Sequence, residues 1–288
     1  MLWLIQFAAI GLLAAGPQSG EAANLLDRAN TSYRTHRPAD AVELYREYLA
    51  RYPDRADVRV FLGAALFNLG KPEEALAETT RALALDSRYA RAYVLAGRVY
   101  SGREAWEPAQ EAFARALRLD PRDSEAWYFS GRAWYEENRF EKAIEAFQKA
   151  RSLGSEQSRV YENLGLAHEA LGKFADAARA YRRAVELAGG EYHPYLAYGV
   201  FLHKQGSLAE GLEMLHEALA LSPRAVDAHF ELGKALHQAG QLDAAARVLE
   251  EALTISNQCR LRYLLVGVYA QQGRSRDADR QAAAAEGC

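Results

Sequence analysis

A glycine returns every 34 residues along this chain, at Gly63, Gly97, Gly131, Gly165, Gly199 and Gly233. A fixed period of that length, sustained along the chain, points to one supersecondary unit stacked repeatedly upon itself. A second small residue keeps the same interval, as Ala41, Ala75, Ala109, Ala143, Ala177 and Ala245, with Gly211 in the one slot that departs. The stretch from Ser124 to Gly154, SEAWYFSGRAWYEENRFEKAIEAFQKARSLG, shows a whole period. Its apolar residues fall at helical spacing in two runs broken at Glu136, Glu137 and Asn138, which predicts two amphipathic helices joined by a short turn.

The pattern resembles the tetratricopeptide repeat. Glycine stands at position 8, a large residue at 4 and 11, small residues at 20 and 27, and an aromatic at 24; the third unit carries Tyr93, Gly97, Tyr100, Ala109, Phe113, Ala116 and Pro121. The resemblance implies an all-α fold, a right-handed solenoid of about eight helical hairpins. Small residues at positions 8 and 20 would lie where the two helices of a hairpin cross, with Tyr100, Phe113 and their equivalents filling the space around them. These are packing residues, so the resemblance is specific for fold and nearly silent on function.

The frames follow directly: 22–55, 56–89, 90–123, 124–157, 158–191, 192–225, 226–258 and 259–288, after an apolar segment at 1–16 and a linker at 17–21. A stack of such units needs no single large core, so one repeat domain accounts for the length. The first unit is degenerate, with Ala29 in the glycine's place, as a terminal repeat with one neighbour can be. Gly70, Gly172, Gly206, Gly240 and Gly273 sit where hairpin turns end a helix in the left-handed conformation. Pro53, Pro121 and Pro223 close helices between units, whereas Gly189, Gly190 and Pro194 make the expected site of bending.

The segment 1–16, MLWLIQFAAIGLLAAG, is apolar, uncharged and outside the repeat. Its length matches a signal-peptide core better than a membrane span, so export to a periplasm or the exterior is expected, with an uncleaved membrane anchor as the alternative. No Lys or Arg precedes the run, which departs from an ordinary signal. Cys259 and Cys288 would open and close the last hairpin, at helix ends that lie side by side, and would form a disulfide if the compartment oxidises thiols. That bond would close a loop of roughly 30 residues and stabilise by about 3–4 kcal/mol; two unpaired thiols are the other reading.

A net charge of -3 leaves no footprint for nucleic acid. No phosphate-cradling glycine loop, paired-histidine zinc motif, Cys-x-x-Cys or nucleophile elbow is present, so neither an enzyme nor a cofactor site is expected. His203 and His237 share a repeat position near His193, but equivalent positions in stacked repeats are about a helix diameter apart, too far for shared metal ligation.

In proteins with this repeat the first helix of each unit lines a concave groove, through positions 2, 5, 6, 9, 12 and 13. By that resemblance Phe61, Phe67, Tyr128, Phe129 and Tyr135 face the groove, joined by Arg91, Arg98, Arg132 and Arg159. Aromatics supply broad apolar contact and arginines forked donors for carboxylates, so the expected ligand is a protein or peptide segment, with acidic ones favoured. The alternative is that the aromatics pack between helices while the arginines pair with Glu125, Glu136 or Glu162. Some members of the family grip a C-terminal carboxylate with a Lys, Asn and Arg clamp. Only Asn30 and Arg91 match it; Leu26, Phe61 and Leu95 occupy other places of that clamp, and Asn163 alone matches the asparagine ladder of the sugar-transferring relatives. The reading is a non-catalytic scaffold or adaptor. Its rivals are a structural part of a secreted or envelope assembly, bound through the convex face or the ends, and a recruiting subunit of a separate enzyme. Association with a membrane is expected only if the N-terminal segment is retained, and the oligomeric state stays open.

Overall fold

The computed structural model describes residues 20–154 and 157–287. Those residues form sixteen helices and no strand. The apolar segment 1–16 and Cys288 lie outside them, so export and the disulfide remain expectations; Cys259 is half-buried at the start of the fifteenth helix.

The chain separates into two compact units at Gly154, where a single domain was expected. The boundary falls one repeat before Gly189 and Gly190, the expected site of bending, across which the flanking helices stay packed. In the first unit α1 (Gly20–Arg34) pairs with α2 (Pro38–Arg51), α3 (Ala56–Asn68) with α4 (Pro72–Leu85), α5 (Ala90–Ser101) with α6 (Trp106–Leu119) and α7 (Ser124–Glu136) with α8 (Phe140–Ser152). Gly20 and Glu21, assigned to the linker 17–21, are already helical. In the second unit α9 (Ser158–Ala170) pairs with α10 (Phe174–Glu186), α11 (His193–Lys204) with α12 (Leu208–Leu221), α13 (Val226–Gln238) with α14 (Leu242–Ile255) and α15 (Cys259–Gln271) with α16 (Ser275–Glu286).

The small residues of the repeat explain why each hairpin closes so tightly. A β-carbon on Gly97 would stand 2.7 Å from the ring of Phe113, one on Gly131 2.7 Å from Phe147, and one on Gly165 2.7 Å from Tyr181. Each of those rings is fully buried, so the bulk at position 24 occupies the volume that position 8 leaves empty. Ala41, Ala75, Ala109, Ala143, Ala177 and Ala245 are wholly inaccessible. Gly211 interrupts that series because a methyl there would meet the carbonyl oxygen of Gly199 and the amide of His203 at 3.1 Å.

The turn within every hairpin carries one residue in the left-handed region. Glycine fills it at Gly70, Gly172, Gly206, Gly240 and Gly273, but His36, Glu104 and Asn138 hold φ of 58°, 57° and 61° in the first unit. Between hairpins the first unit uses a recurring latch. Position 4 of the incoming helix donates to the carbonyl six residues earlier: Arg59 to Pro53, Tyr93 to Ser87 and Trp127 to Pro121.

Within each unit the first helices also pack on one another. α3 meets α5 and α5 meets α7; in the second unit α9, α11, α13 and α15 follow in the same way. The second helices make no comparable contact with each other, so the first helices form the inner layer of each stack.

Candidate functional site

The inner layer of the first unit encloses a cavity of about 480 Å³. All four first helices reach it near their C-terminal ends. α1 brings Tyr33, α3 brings Phe67 and Asn68, α5 brings Arg98 and Ser101, with Gly102 just beyond its end, and α7 brings Phe129, Arg132, Ala133 and Glu136. His36 and Pro38, from the turn into α2, complete one rim, and the ring of Phe113 from α6 forms part of the floor.

The centre of this wall is a stack. The guanidinium carbon of Arg98 lies 4.4 Å from the ring centroid of Phe129 and 5.7 Å from that of Phe67. A planar, weakly hydrated cation against ring faces is favourable in such a desolvated place. Gly102 keeps the stack roomy, because a β-carbon there would stand 3.2 Å from the Phe67 ring. Around the stack the polar groups engage one another. Asn68 donates to the Tyr33 hydroxyl at 3.2 Å, Arg132 donates to Glu136 at 2.9 Å, and the Ser101 hydroxyl donates to the Gly97 carbonyl at 2.9 Å. Burial pushes the Tyr33 phenol up in pKa, a rise opposed by the Arg98 guanidinium, so it stays a neutral hydroxyl at physiological pH.

Four of the nine residues expected in a groove therefore converge here: Phe67, Arg98, Phe129 and Arg132. Of these Phe129 is only 5% exposed, its ring covered by Arg98. Tyr128 belongs to the core instead: it is wholly buried, with its ring centroid 5.9 Å from that of Phe147. Its backbone position faces inward, but helices α7 and α8 are close enough there to take the whole side chain. Tyr135 is half-buried against Phe140, at 5.4 Å, and does not line the cavity. Phe61 stacks on Tyr45 at 6.1 Å and packs against the N-terminal core. Arg91 is exposed and borders a much smaller depression of about 30 Å³ that shares Arg98 and includes Asp123 and Glu125. Arg159 stands on α9, in the second unit.

Sequence reasoning passed over Tyr33, Asn68, Ser101 and Gly102, though all stand at repeat positions 12 or 13, which the resemblance directs inward. Tyr33 lies in the degenerate first unit, and Asn68, Ser101 and Gly102 are neither aromatic nor cationic, so none carries the signal that marked the other groove positions. Glu136 appeared only as an ion-pair partner, and that is how it meets Arg132. His36 and Pro38 carry no helical-face signal, since a turn places them.

Two histidines of the second unit, His203 and His229, are built into its packing. His203 is buried with Nε2 2.6 Å from the Gln238 side-chain oxygen, and His229 is buried with Nδ1 3.0 Å from the Ala225 carbonyl. Among the described residues no group of three or more His, Cys, Asp or Glu is placed to hold a metal ion, and no helix is long and apolar enough to cross a membrane.

The family profile described as "Tetratricopeptide repeat" matches residues 26–90, 94–158, 138–192, 162–213 and 202–258. Among curated proteins the chain is similar to the "DnaJ homolog subfamily C member 7 homolog" of Schizosaccharomyces pombe (strain 972 / ATCC 24843), at 32% identity over 90 residues, which is 30% of this chain and 19% of that one. Among solved structures it is similar to a chain of the APC/C hetero-tetramer Cut9-Hcn1, with a TM-score of 0.68 at 20% identity over 92% of this chain and 53% of that one. It is also similar to a tetratricopeptide repeat protein from Parabacteroides merdae ATCC 43184, with a TM-score of 0.63 at 16% identity over 87% of this chain and 99% of that one. The chain thus spans about a fifth of the curated relative and about half of the first of these structures.

Proposed function

The chain belongs to the tetratricopeptide repeat family, and we propose that it is a non-catalytic scaffold holding a segment of a partner protein in the concave face of its first unit. The observation that carries this reading is the 480 Å³ cavity, to which all four inner helices of one unit contribute. Its volume falls in the range of sites that enclose most of a small ligand or a few peptide residues. Its residues sit on packed helices, so the surface is largely preformed and binding costs little ordering. Repetition of a hairpin along a stack explains how residues as distant in sequence as Tyr33 and Glu136 come to one place.

The test is a comparison of what copurifies with the full chain from its own cells, as wild type and as a Ser101→Trp variant. Ser101 is half-buried at the end of α5, so a large ring there fills the cavity without removing a core side chain. A partner retained by wild type and lost by at least tenfold from an equally helical variant supports the reading. The same set of proteins on both would move binding to the convex face or the ends.

A further inference from the structure

The chemistry of the cavity wall narrows what the partner segment carries. We propose that the cavity is an anchor site for an aromatic side chain of that segment, a Trp, Tyr or Phe, and not a receptor for a carboxylate. This rests on the scaffold reading above and specifies its ligand class.

Two sets of contacts lead there. Two pairs of polar groups on the wall are engaged with one another, Arg132 with Glu136 at 2.9 Å and Asn68 with Tyr33 at 3.2 Å; Ser101 is bonded to its own helix at 2.9 Å, and the exposed His36 stands at the rim. An incoming carboxylate would have to displace Glu136 from Arg132 or sit beside it, and like charges in a half-enclosed site repel. Arg98, for its part, lies against rings, 4.4 Å from Phe129 and 5.7 Å from Phe67. What the wall offers a ligand is therefore the half-buried rings of Phe67 and Tyr33 and the guanidinium that covers Phe129.

Aromatic side chains suit that surface better than aliphatic ones. Rings meet rings edge-on or offset, with added attraction beyond the area buried, and a guanidinium plane extends the same stacking. The volume of 480 Å³ admits one large ring together with parts of the residues flanking it. Gly102 and Ser101, the small residues at the rim, leave the entrance open; a β-carbon on Gly102 would already stand 3.2 Å from Phe67.

The experiment selects random twelve-residue peptides displayed on phage against the full chain, with the Ser101→Trp chain as the counter-selection. Enriched peptides are then titrated by fluorescence anisotropy against wild type, Arg98→Lys and Phe67→Leu. Arg98→Lys keeps the charge and removes the planar stack; Phe67→Leu keeps an apolar side chain and removes the ring. The expected result is an aromatic residue at one fixed position, whose change to Ala weakens binding by at least tenfold, and a loss of about threefold or more with Arg98→Lys. Peptides that bind the cavity through acidic side chains or a free carboxylate, without an aromatic and with full affinity for Arg98→Lys, would overturn the anchor and leave the scaffold reading intact. Failure to obtain any peptide that distinguishes wild type from Ser101→Trp would overturn both.

Discussion

At the scale of single residues, the repeat shows where side chains are imposed on a backbone that wants none. Glu104 is exposed in its turn with φ of 57°, the slot that Gly70 and Gly172 fill elsewhere. Left-handed backbone costs an ordinary side chain about 1–2 kcal/mol, partly offset by the greater freedom of glycine in the unfolded chain. Glu104→Gly is therefore expected to stabilise by about 0.5–1 kcal/mol, read as a higher urea midpoint, whereas Asn138→Gly gains less because asparagine tolerates this region. A second residue-scale prediction concerns Glu162 on α9, whose carboxyl is pushed up to about 7, first by burial and then by the charge of Glu191. The folded protein holds this proton where the unfolded chain, near 4.5, has released it. Stability should thus fall as pH rises from about 4.5 to about 7 and be flat with respect to this group outside that window. Glu162→Gln should remove the slope, a difference of up to about 3 kcal/mol between wild type and variant at pH 7.5, measured by urea unfolding at several pH values. An unchanged slope would mean that the carboxyl is better solvated than its position indicates.

At the scale of the helix, capping and facing decide most of what matters. Asp123 caps α7 with its side chain, accepting from the amides of Glu125 and Ala126 at 2.9 and 3.0 Å. From α2 onward no other N-cap side chain accepts an amide of its helix, and Pro38 and Pro72 open α2 and α4 while Pro194 is the second residue of α11. Asp123→Ala should cost about 1 kcal/mol, and since α7 supplies Phe129, Arg132 and Glu136 to the cavity, it should also weaken ligand binding. Calorimetry on the variant checks the first expectation and the peptide titrations check the second. This scale also sets how far the sequence could be read. Helix positions were legible because glycine at 8 and alanine at 20 mark the crossing of a hairpin, and the Gly131–Phe147 and Gly165–Tyr181 contacts bear that out. Which inward-facing side chains stay accessible was not legible. Tyr128 and Phe129 are neighbours on α7, yet the first is sealed in the core at 0% exposure while the second reaches the cavity through Arg98. That difference depends on how closely α7 meets its neighbours, which no repeat position encodes.

At the scale of the molecule, each unit carries its own core and its own inner layer of four helices. The sequence, with its even period, disclosed the stack but not this division, because the repeat frame runs through Gly154 without a break. Repeat stacks become stable once about three units bury a continuous core. A fragment ending at Gly154 should accordingly remain helical, unfold cooperatively and retain the cavity, all of whose lining residues precede that glycine. Loss of its circular-dichroism signal at 25 °C would show that its fold depends on residues beyond the boundary. Whether a partner segment sits on the inner face of the first unit is read by site-specific photocrosslinking in the protein's own cells. A photoreactive residue at Asn68, exposed at the cavity rim, is compared with one at Glu217, exposed on α12. One defined partner should be captured from position 68 and be absent from position 217, with the crosslinked peptide carrying an aromatic residue. No adduct at 68, or the same proteins at both positions, would contradict that placement.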